Sequence, residues 1–333
     1  MDKRTRELYD DSILEQALER YGIARENVGT GDGFESFIYE YDKDGGRYIL
    51  RISHSLHRTS DRIQGELEWV NYLVGGSVPA ARAVPSQRGN LVETIAARDG
   101  SHFTAVSFEW AKGSYATRED WDDGLAVKLG QIVGRMHALT KRFEPSDARF
   151  RRHEWHEDYA DGPAARYLPP AETKVIAKFD ALLAYLHTLP RDEDSYGLIH
   201  VDVHGGNFFV DDGSITLFDF DDCQYAWFVY DIAMALFYVL PHNCVTKEQI
   251  ERAERFLDQF MAGYERENSL DPRWMRQMPY FLKLREIDLY VVIHRSFDLD
   301  DLDPWCTSFM DNRRYKIEND VPYAELDWGK YAE

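Results

Sequence analysis

Between residues 197 and 222 the chain runs Gly-Leu-Ile-His-Val-Asp-Val-His-Gly-Gly-Asn-Phe-Phe-Val-Asp-Asp-Gly-Ser-Ile-Thr-Leu-Phe-Asp-Phe-Asp-Asp, and no other stretch restricts the possible folds as much. Two apolar runs, Phe208 to Val210 and Ile215 to Phe218, flank the turn Asp211-Asp212-Gly213. An Asp-Gly pair tolerates the positive φ angles of a tight two-residue hairpin, so the run predicts two antiparallel strands. That hairpin is expected to bring Asn207, just before it, towards Asp219, just after it. Upstream, the apolar triplet Gly197-Leu198-Ile199 leads into His200 and a polar loop that carries Asp202.

These residue types suit phosphoryl transfer, which asks a protein for positioning more than for covalent chemistry. A carboxylate must orient or deprotonate the acceptor hydroxyl, and Asp202 has the right chemistry. Magnesium takes hard oxygen donors, one or two from the protein, and Asn207 with Asp219 supplies an amide and a carboxylate. The five-residue step from Asp202 to Asn207 is that of the protein-kinase catalytic loop, and Asp219-Phe220-Asp221 stands where a kinase carries Asp-Phe-Gly. His-x-Asp-x-His-x-x-Asn followed by Asp-Phe-Asp-Asp resembles the aminoglycoside phosphotransferase and choline kinase superfamily. Within it, this run and the later Tyr230-Asp231-Ile232-Ala233 most resemble the branch of stress-response kinase A and the homoserine kinases. The family usually has Gly between the His and the Asp, where this chain has Val201.

With 333 residues, 44% hydrophobic and 14% aromatic, the chain is long and apolar enough for two lobes with ample cores. The start, Met1-Asp-Lys-Arg-Thr-Arg-Glu, has no apolar signal core, and the apolar run from Trp227 to Leu240 is short and contains Asp231, so a cytoplasmic protein is expected. Cys223, Cys244 and Cys306 are far apart, which argues for buried small residues and against a disulfide scaffold or zinc site. A net charge of −20 argues against nucleic acid or an anionic membrane as partner.

Ile13, Leu14, Ala17, Leu18 and Tyr21 share one helical face that Gly22 closes. Gly29-Thr-Gly31-Asp-Gly33-Phe-Glu-Ser36 then precedes a strand from Phe37 and, after the turn Lys43-Asp-Gly-Gly46, a second from Arg47. By the resemblance, this is the glycine loop of a kinase small lobe. Gly31 and Gly33 would let backbone amides approach phosphates, and Ser36 would add a hydroxyl. Arg51 stands where kinases place the strand lysine that holds the nucleotide phosphates, and a guanidinium binds phosphate bidentately. Glu66, in the helical stretch 61–74, is its expected ion-pair partner, with Glu68 as the alternative. The segment Glu109-Trp-Ala111-Lys-Gly113 corresponds to the family's hinge, where Glu109 and Ala111 would meet the adenine through backbone groups.

Beyond the hinge, Leu125, Leu129, Ile132, Val133, Met136 and Leu139 predict a long amphipathic helix, and patterns at 228–240, 247–264 and 275–296 predict a mostly helical remainder. Asp231 lies inside an apolar run, so it must be hydrogen-bonded and is expected to brace the catalytic loop. His137 is expected to be packed or capping. Trp155, Glu157, Asp158, Tyr159, Trp274, Trp305 and the acidic run 298–303 stand on the expected acceptor side and lean towards a cationic small molecule.

The resulting expectation is an α+β, two-lobed protein-kinase-like fold. Residues 1–108 form a small β-rich nucleotide lobe, 109–114 the hinge, and 115–333 a larger helical lobe. The activity is an ATP- and magnesium-dependent transfer of the γ-phosphate to a hydroxyl. Asp202 is the base, Asn207 and Asp219 are the metal ligands, and Asp221 or Asp222 adds a water-mediated contact. The acceptor is a small molecule such as an aminoglycoside, an amino alcohol or homoserine. The alternatives are a protein Ser/Thr side chain, as for stress-response kinase A, and nucleotide binding without turnover. A hydrolytic metal site on His200, Asp202 and His204 is the remaining rival, and no second cluster in the sequence supplies its further ligands.

Overall fold

The computed structural model describes residues 3–31, 33–117, 120–242 and 246–331. In chain order these form helices α1 (Lys3–Leu8) and α2 (Asp11–Tyr21), strands β1 (Val28–Gly31), β2 (Phe37–Lys43) and β3 (Gly46–His54), and helix α3 (Ser60–Gly75). Strands β4 (Ala83–Val84), β5 (Glu93–Ala96), β6 (His102–Glu109) and β7 (Ser114–Tyr115) come next, then helices α4 (Asp123–Thr140), α5 (Pro163–Tyr167) and α6 (Thr173–Leu186). Strands β8 (Tyr196–Ile199), β9 (Phe208–Asp211), β10 (Ser214–Leu217) and β11 (Gln224–Trp227) precede helices α7 (Phe228–Val239), α8 (Lys247–Tyr264), α9 (Met278–Ser296), α10 (Pro304–Met310) and α11 (Arg313–Glu318). The chain divides into two compact units, one mostly β and one mostly helical, which is the expected α+β class.

The first unit comprises Met1–Tyr115, Arg142–Arg152 and Phe208–Asp221. Its antiparallel sheet has the order β1-β2-β3-β6-β4, with β5 also pairing β6. The β2–β3 hairpin turns at Asp44 and Gly45, both at positive φ, with Lys43 opposite Gly46. On one face lies α2, whose Ile13, Leu14, Ala17, Leu18 and Tyr21 join Leu50, Ile52, Phe103 and Ala105 in one core. Asp10 caps the start of α2 through Ser12 N, and Gly22 at φ 62° takes the left-handed conformation that ends it. Helix α3 packs Ile63 and Leu67 on Ala83 and Val106. The motif hairpin also lies here: Asp212 and Gly213, both at positive φ, turn β9 into β10, with Ser214 opposite Asp211 and Leu217 opposite Phe208.

The second unit comprises Ala116–Lys141, His153–Asn207 and Asp222–Glu333. Helix α7 is buried all round, so it is a core helix and not an amphipathic one. The predicted helix over 275–296 begins three residues later, at Met278, behind a 3-10 turn over Pro272–Gln277. Pro279 lacks an amide hydrogen and is tolerated only in the first turn of α9. Helices α4 and α8 meet backbone to backbone. A Cβ on Gly130 would lie 1.9 Å from Phe260 O, and one on Gly263 1.9 Å from Val127 O. Among the described residues no helix is long and apolar enough to cross a membrane. Cys223 and Cys306 are buried, whereas Cys244 lies outside the described residues.

The α4–α8 contact generates a stability prediction. Gly263→Ala must push two helix backbones apart and should destabilise by about 1–3 kcal/mol, the usual cost of overpacking. Thermal melts check it, with Gly75→Ala, whose Cβ would meet nothing within 4 Å, as the control.

Candidate active site

In the second unit the loop that carries Asp202 hangs on one buried carboxylate. Asp231, from α7, accepts from Val201 N at 2.7 Å (Oδ1) and from His200 N at 3.0 Å (Oδ2). His137 Nε2 lies 3.1 Å from Asp231 Oδ2, and its Nδ1 lies 2.9 Å from Tyr264 OH. Asp231 and His137 are both fully buried, so each polar atom here needs its partner. Burial lowers the His137 pKa, against the opposing pull of Asp231. The two amide bonds hold Val201 at φ 73°, a left-handed conformation that a β-branched residue adopts only under constraint. The family's usual glycine would reach it without strain, so the substitution seen in the sequence keeps the loop's shape at a local cost.

Past that turn, Asp202 is enclosed by donors. Its Oδ2 faces Asn207 Nδ2 at 2.8 Å and His204 Nε2 at 3.1 Å, while Oδ1 faces Arg285 Nη2 at 3.3 Å. Burial pushes the Asp202 carboxyl up, but His204, Arg285 and His200 together outweigh it and hold the group well below the usual carboxylate range. Asn207 Nδ2 also donates to Asp202 O at 2.9 Å, so the amide nitrogen is committed and its oxygen is the atom left to accept or ligate. Arg285 was not foreseen from the sequence. It comes from α9, bonds Asp288 Oδ2 at 3.0 Å and also bonds Tyr238 OH. The available signal was a charged pair three residues apart in a helix that is otherwise largely buried.

In the first unit, Arg51 on β3 is buried and pairs through Nη2 with Glu66 Oε2 of α3 at 2.7 Å. Glu68, the alternative partner, instead accepts from Ser146 N at 2.9 Å. Arg51 Nη1 stands 3.7 Å from Asp221 Oδ1. Burial disfavours the guanidinium charge, but Glu66, Asp221 and Asp219 more than offset this and raise its pKa. Asp221 is further held by His57 Nε2 at 2.5 Å from Oδ2 and by Arg152 Nη2 donating to its carbonyl at 2.5 Å, two residues absent from the sequence reading. Asp219 is exposed at φ 62°. Arg51 Nε is buried without a hydrogen-bond partner among the described residues. A guanidinium with an unused donor fits a phosphate, and Asn207 Oδ1 and the Asp219 carboxylate are hard donors of the type that Mg2+ or Ca2+ takes.

Gly31 ends β1 and Gly33 follows it, with a Cβ on Gly33 only 2.2 Å from Ser36 O, so the loop closes tightly on itself. Ser36 is buried and its hydroxyl is shared with Ser53 Oγ at 2.8 Å. Glu109 ends β6 with its amide donated to Arg82 O at 2.8 Å, and Ala111 is buried. Of the aromatics expected on the acceptor side, Trp155 and Trp274 are 1% and 2% exposed and serve the core, whereas Trp305 is 42% exposed. Residue type alone does not tell a core ring from a surface one.

Residues 29–277 match the model of the phosphotransferase enzyme family. The amicoumacin kinase of Bacillus subtilis (strain 168) is 37% identical over 321 residues, which cover 96% of this chain and 95% of that protein. The solved structure of an amicoumacin kinase, hAmiN, in complex with AMP-PNP, Ca2+ and Ami superposes with a TM-score of 0.92 at 36% identity, covering 99% of both chains. A microcompartment-associated aminopropanol kinase superposes with a TM-score of 0.70 at 22% identity, covering 97% of this chain and 95% of that one, and so shares the fold.

The Asp231 bracket generates a paired prediction. Asp231→Asn keeps one acceptor oxygen, leaves a backbone amide of the loop poorly satisfied and should destabilise by about 1–3 kcal/mol. It should also lower turnover. Val201→Gly in that background should restore part of the lost activity, because glycine holds the positive φ without help. Melting temperatures and turnover rates of the single and double variants check both.

Proposed function

The chain belongs to the phosphotransferase enzyme family, and from that premise we propose that it is a kinase that moves the γ-phosphoryl group of ATP, with magnesium, to a hydroxyl of amicoumacin or a closely similar small molecule. The observation that carries this reading is the end-to-end likeness to an amicoumacin kinase, 37% identical over 96% of the chain. The complex of a second such kinase with AMP-PNP and Ca2+ supports the use of a nucleotide and a divalent cation.

In this reading Asp202 receives the acceptor. Its Oδ2 already takes two donors, so the hydroxyl approaches Oδ1. A carboxylate held this strongly in its ionised form orients the hydroxyl and takes its proton late, which suits a loose phosphoryl transition state. The acceptor oxygen bonds to the γ-phosphorus as the bond from that phosphorus to the β–γ bridging oxygen breaks. ADP leaves, and the hydroxyl proton passes to Asp202 and on to water. Arg51, oriented by Glu66, binds nucleotide phosphate oxygens, and the amides around Gly31 and Gly33, with Ser36, cover them. Asn207 and Asp219 would hold the divalent cation, which when bound would neutralise charge on the phosphates. Glu109 and Ala111 meet the adenine through backbone groups.

The test is magnesium-dependent ADP release by the purified protein with amicoumacin, aminoglycosides, amino alcohols, homoserine or a generic protein as acceptor. Amicoumacin should stimulate it, and Asp202→Asn should lower turnover by about 10²–10⁴-fold without lowering the melting temperature. Stimulation by the protein substrate alone overturns the acceptor, and wild-type turnover in Asp202→Asn overturns the mechanism.

A further inference from the structure

Arg285 is placed where an acceptor must arrive. Of the two oxygens of Asp202, Oδ2 is occupied by Asn207 and His204, and among the described residues Oδ1 hydrogen-bonds only the guanidinium, at 3.3 Å. That distance is long for a charge-assisted bond, which ordinarily spans about 2.7–2.9 Å. The same guanidinium sits closer to Asp288, at 3.0 Å, and also bonds the Tyr238 hydroxyl, whose ring it covers at 5.4 Å from the centroid. Its firm seat is therefore Asp288 and Tyr238, while its contact with Asp202 is the loose one. Arg285 Nε is buried with no hydrogen-bond partner among the described residues, so the group has a donor in reserve for a shifted position. Burial, with Asp158 and Asp222 nearby, raises the Asp288 pKa, and the guanidinium of Arg285 opposes that shift.

We propose that Arg285 is a positioning residue of the transfer reaction: without acceptor it holds Asp202 Oδ1 in place, and the acceptor hydroxyl displaces it towards Asp288. This rests on the reading of Asp202 as the residue that receives the acceptor. Arg285 stands in for the missing hydroxyl. It keeps the carboxylate turned to the orientation that the reaction needs, then yields Oδ1 while its pairing with Asp288 persists. Its effect belongs to acceptor alignment, so nucleotide binding should not sense it. A lysine in its place could reach Asp202 or Asp288 but not bridge them, because it lacks the planar fork.

The experiment compares Arg285→Met, Arg285→Lys and Asp288→Asn with Asp202→Asn, measuring kcat, the KM for each substrate, AMP-PNP binding without acceptor, and melting temperature. Arg285→Met should lower kcat about 10- to 100-fold, the scale of a misaligned reacting group, while the KM for ATP and AMP-PNP binding stay unchanged. The KM for acceptor should stay level or fall, since no guanidinium competes for Oδ1. Arg285→Lys should recover part of kcat, and Asp288→Asn should fall between the two. A kcat within two-fold of wild type in Arg285→Met overturns the inference. So does a loss of nucleotide binding equal to the loss of kcat with no recovery by lysine, because a purely structural role predicts that pattern. If the methionine variant does not fold, the other two variants decide, and wild-type kcat in both overturns it. Wild-type turnover in Asp202→Asn would instead sink the reading of Asp202 itself, which separates the two failures.

Discussion

The loop that carries Asp202 depends at its start on the buried carboxylate of Asp231. It accepts the amides of His200 and Val201 and meets the imidazole of His137, so three polar groups from two other segments are satisfied by one side chain. Removing such an acceptor from a dry interior leaves each donor with its desolvation penalty, which is why a charge is tolerated in a helix as apolar as α7. The carboxylate also holds Val201 in a left-handed turn, and that turn points the following residue, Asp202, towards its donors. Strain at one residue is balanced by hydrogen bonds from another.

Each unit follows the same electrostatic rule. In the first, Arg51 would be costly to bury alone, and Glu66, Asp221 and Asp219 make its charge sustainable. In the second, Asp202 would be pushed towards neutrality by burial, and His204, Arg285 and His200 reverse the shift. Neither group is fully consumed by its partners. Among the described residues Arg51 keeps an unused nitrogen, and Asp202 keeps one oxygen whose single hydrogen bond is long. Sites that hold charge ready for a ligand have this form: paired enough to fold, with one position left over.

Packing supplies the rigidity that such sites need. The glycines of α4 and α8 bring two helix backbones into contact, and α4 carries His137, which braces Asp231. A shift between those helices would reach the loop through His137 and through Thr140, whose hydroxyl donates to Leu198 O at 2.9 Å. In the first unit, α3 presents Glu66 from a helix whose Ile63 and Leu67 are locked in the core, so the carboxylate that meets Arg51 has little freedom to wander. The bracing groups Asp231, His137 and Glu66 thus sit on regular elements, whereas Asp202, Asn207 and Asp219 lie on loops.

Much was legible in the amino-acid order, for reasons that are local. Asp-Gly at 44–45 and 212–213 dictates two hairpin turns, Asp10 and Gly22 bound α2, periodicity places α4 and α8, and an unbroken apolar run marks α7. A carboxylate inside an apolar run demands partners, so the role of Asp231 could be read before its partners were known. The family was legible as well, because the run from His200 through Asp202 and Asn207 to Asp219-Phe-Asp-Asp resembles its motifs. Only the tertiary structure decided which charges neutralise which. It brought Arg285 to Asp202 across 83 residues and His57 to Asp221 across 164, and it chose Glu66 over Glu68. It also separated the buried Trp155 and Trp274 from the exposed Trp305. The reason is physical. Turn and helix signals act over a few residues, whereas the partner of a buried charge is chosen by desolvation, and any segment that the fold brings near can supply it.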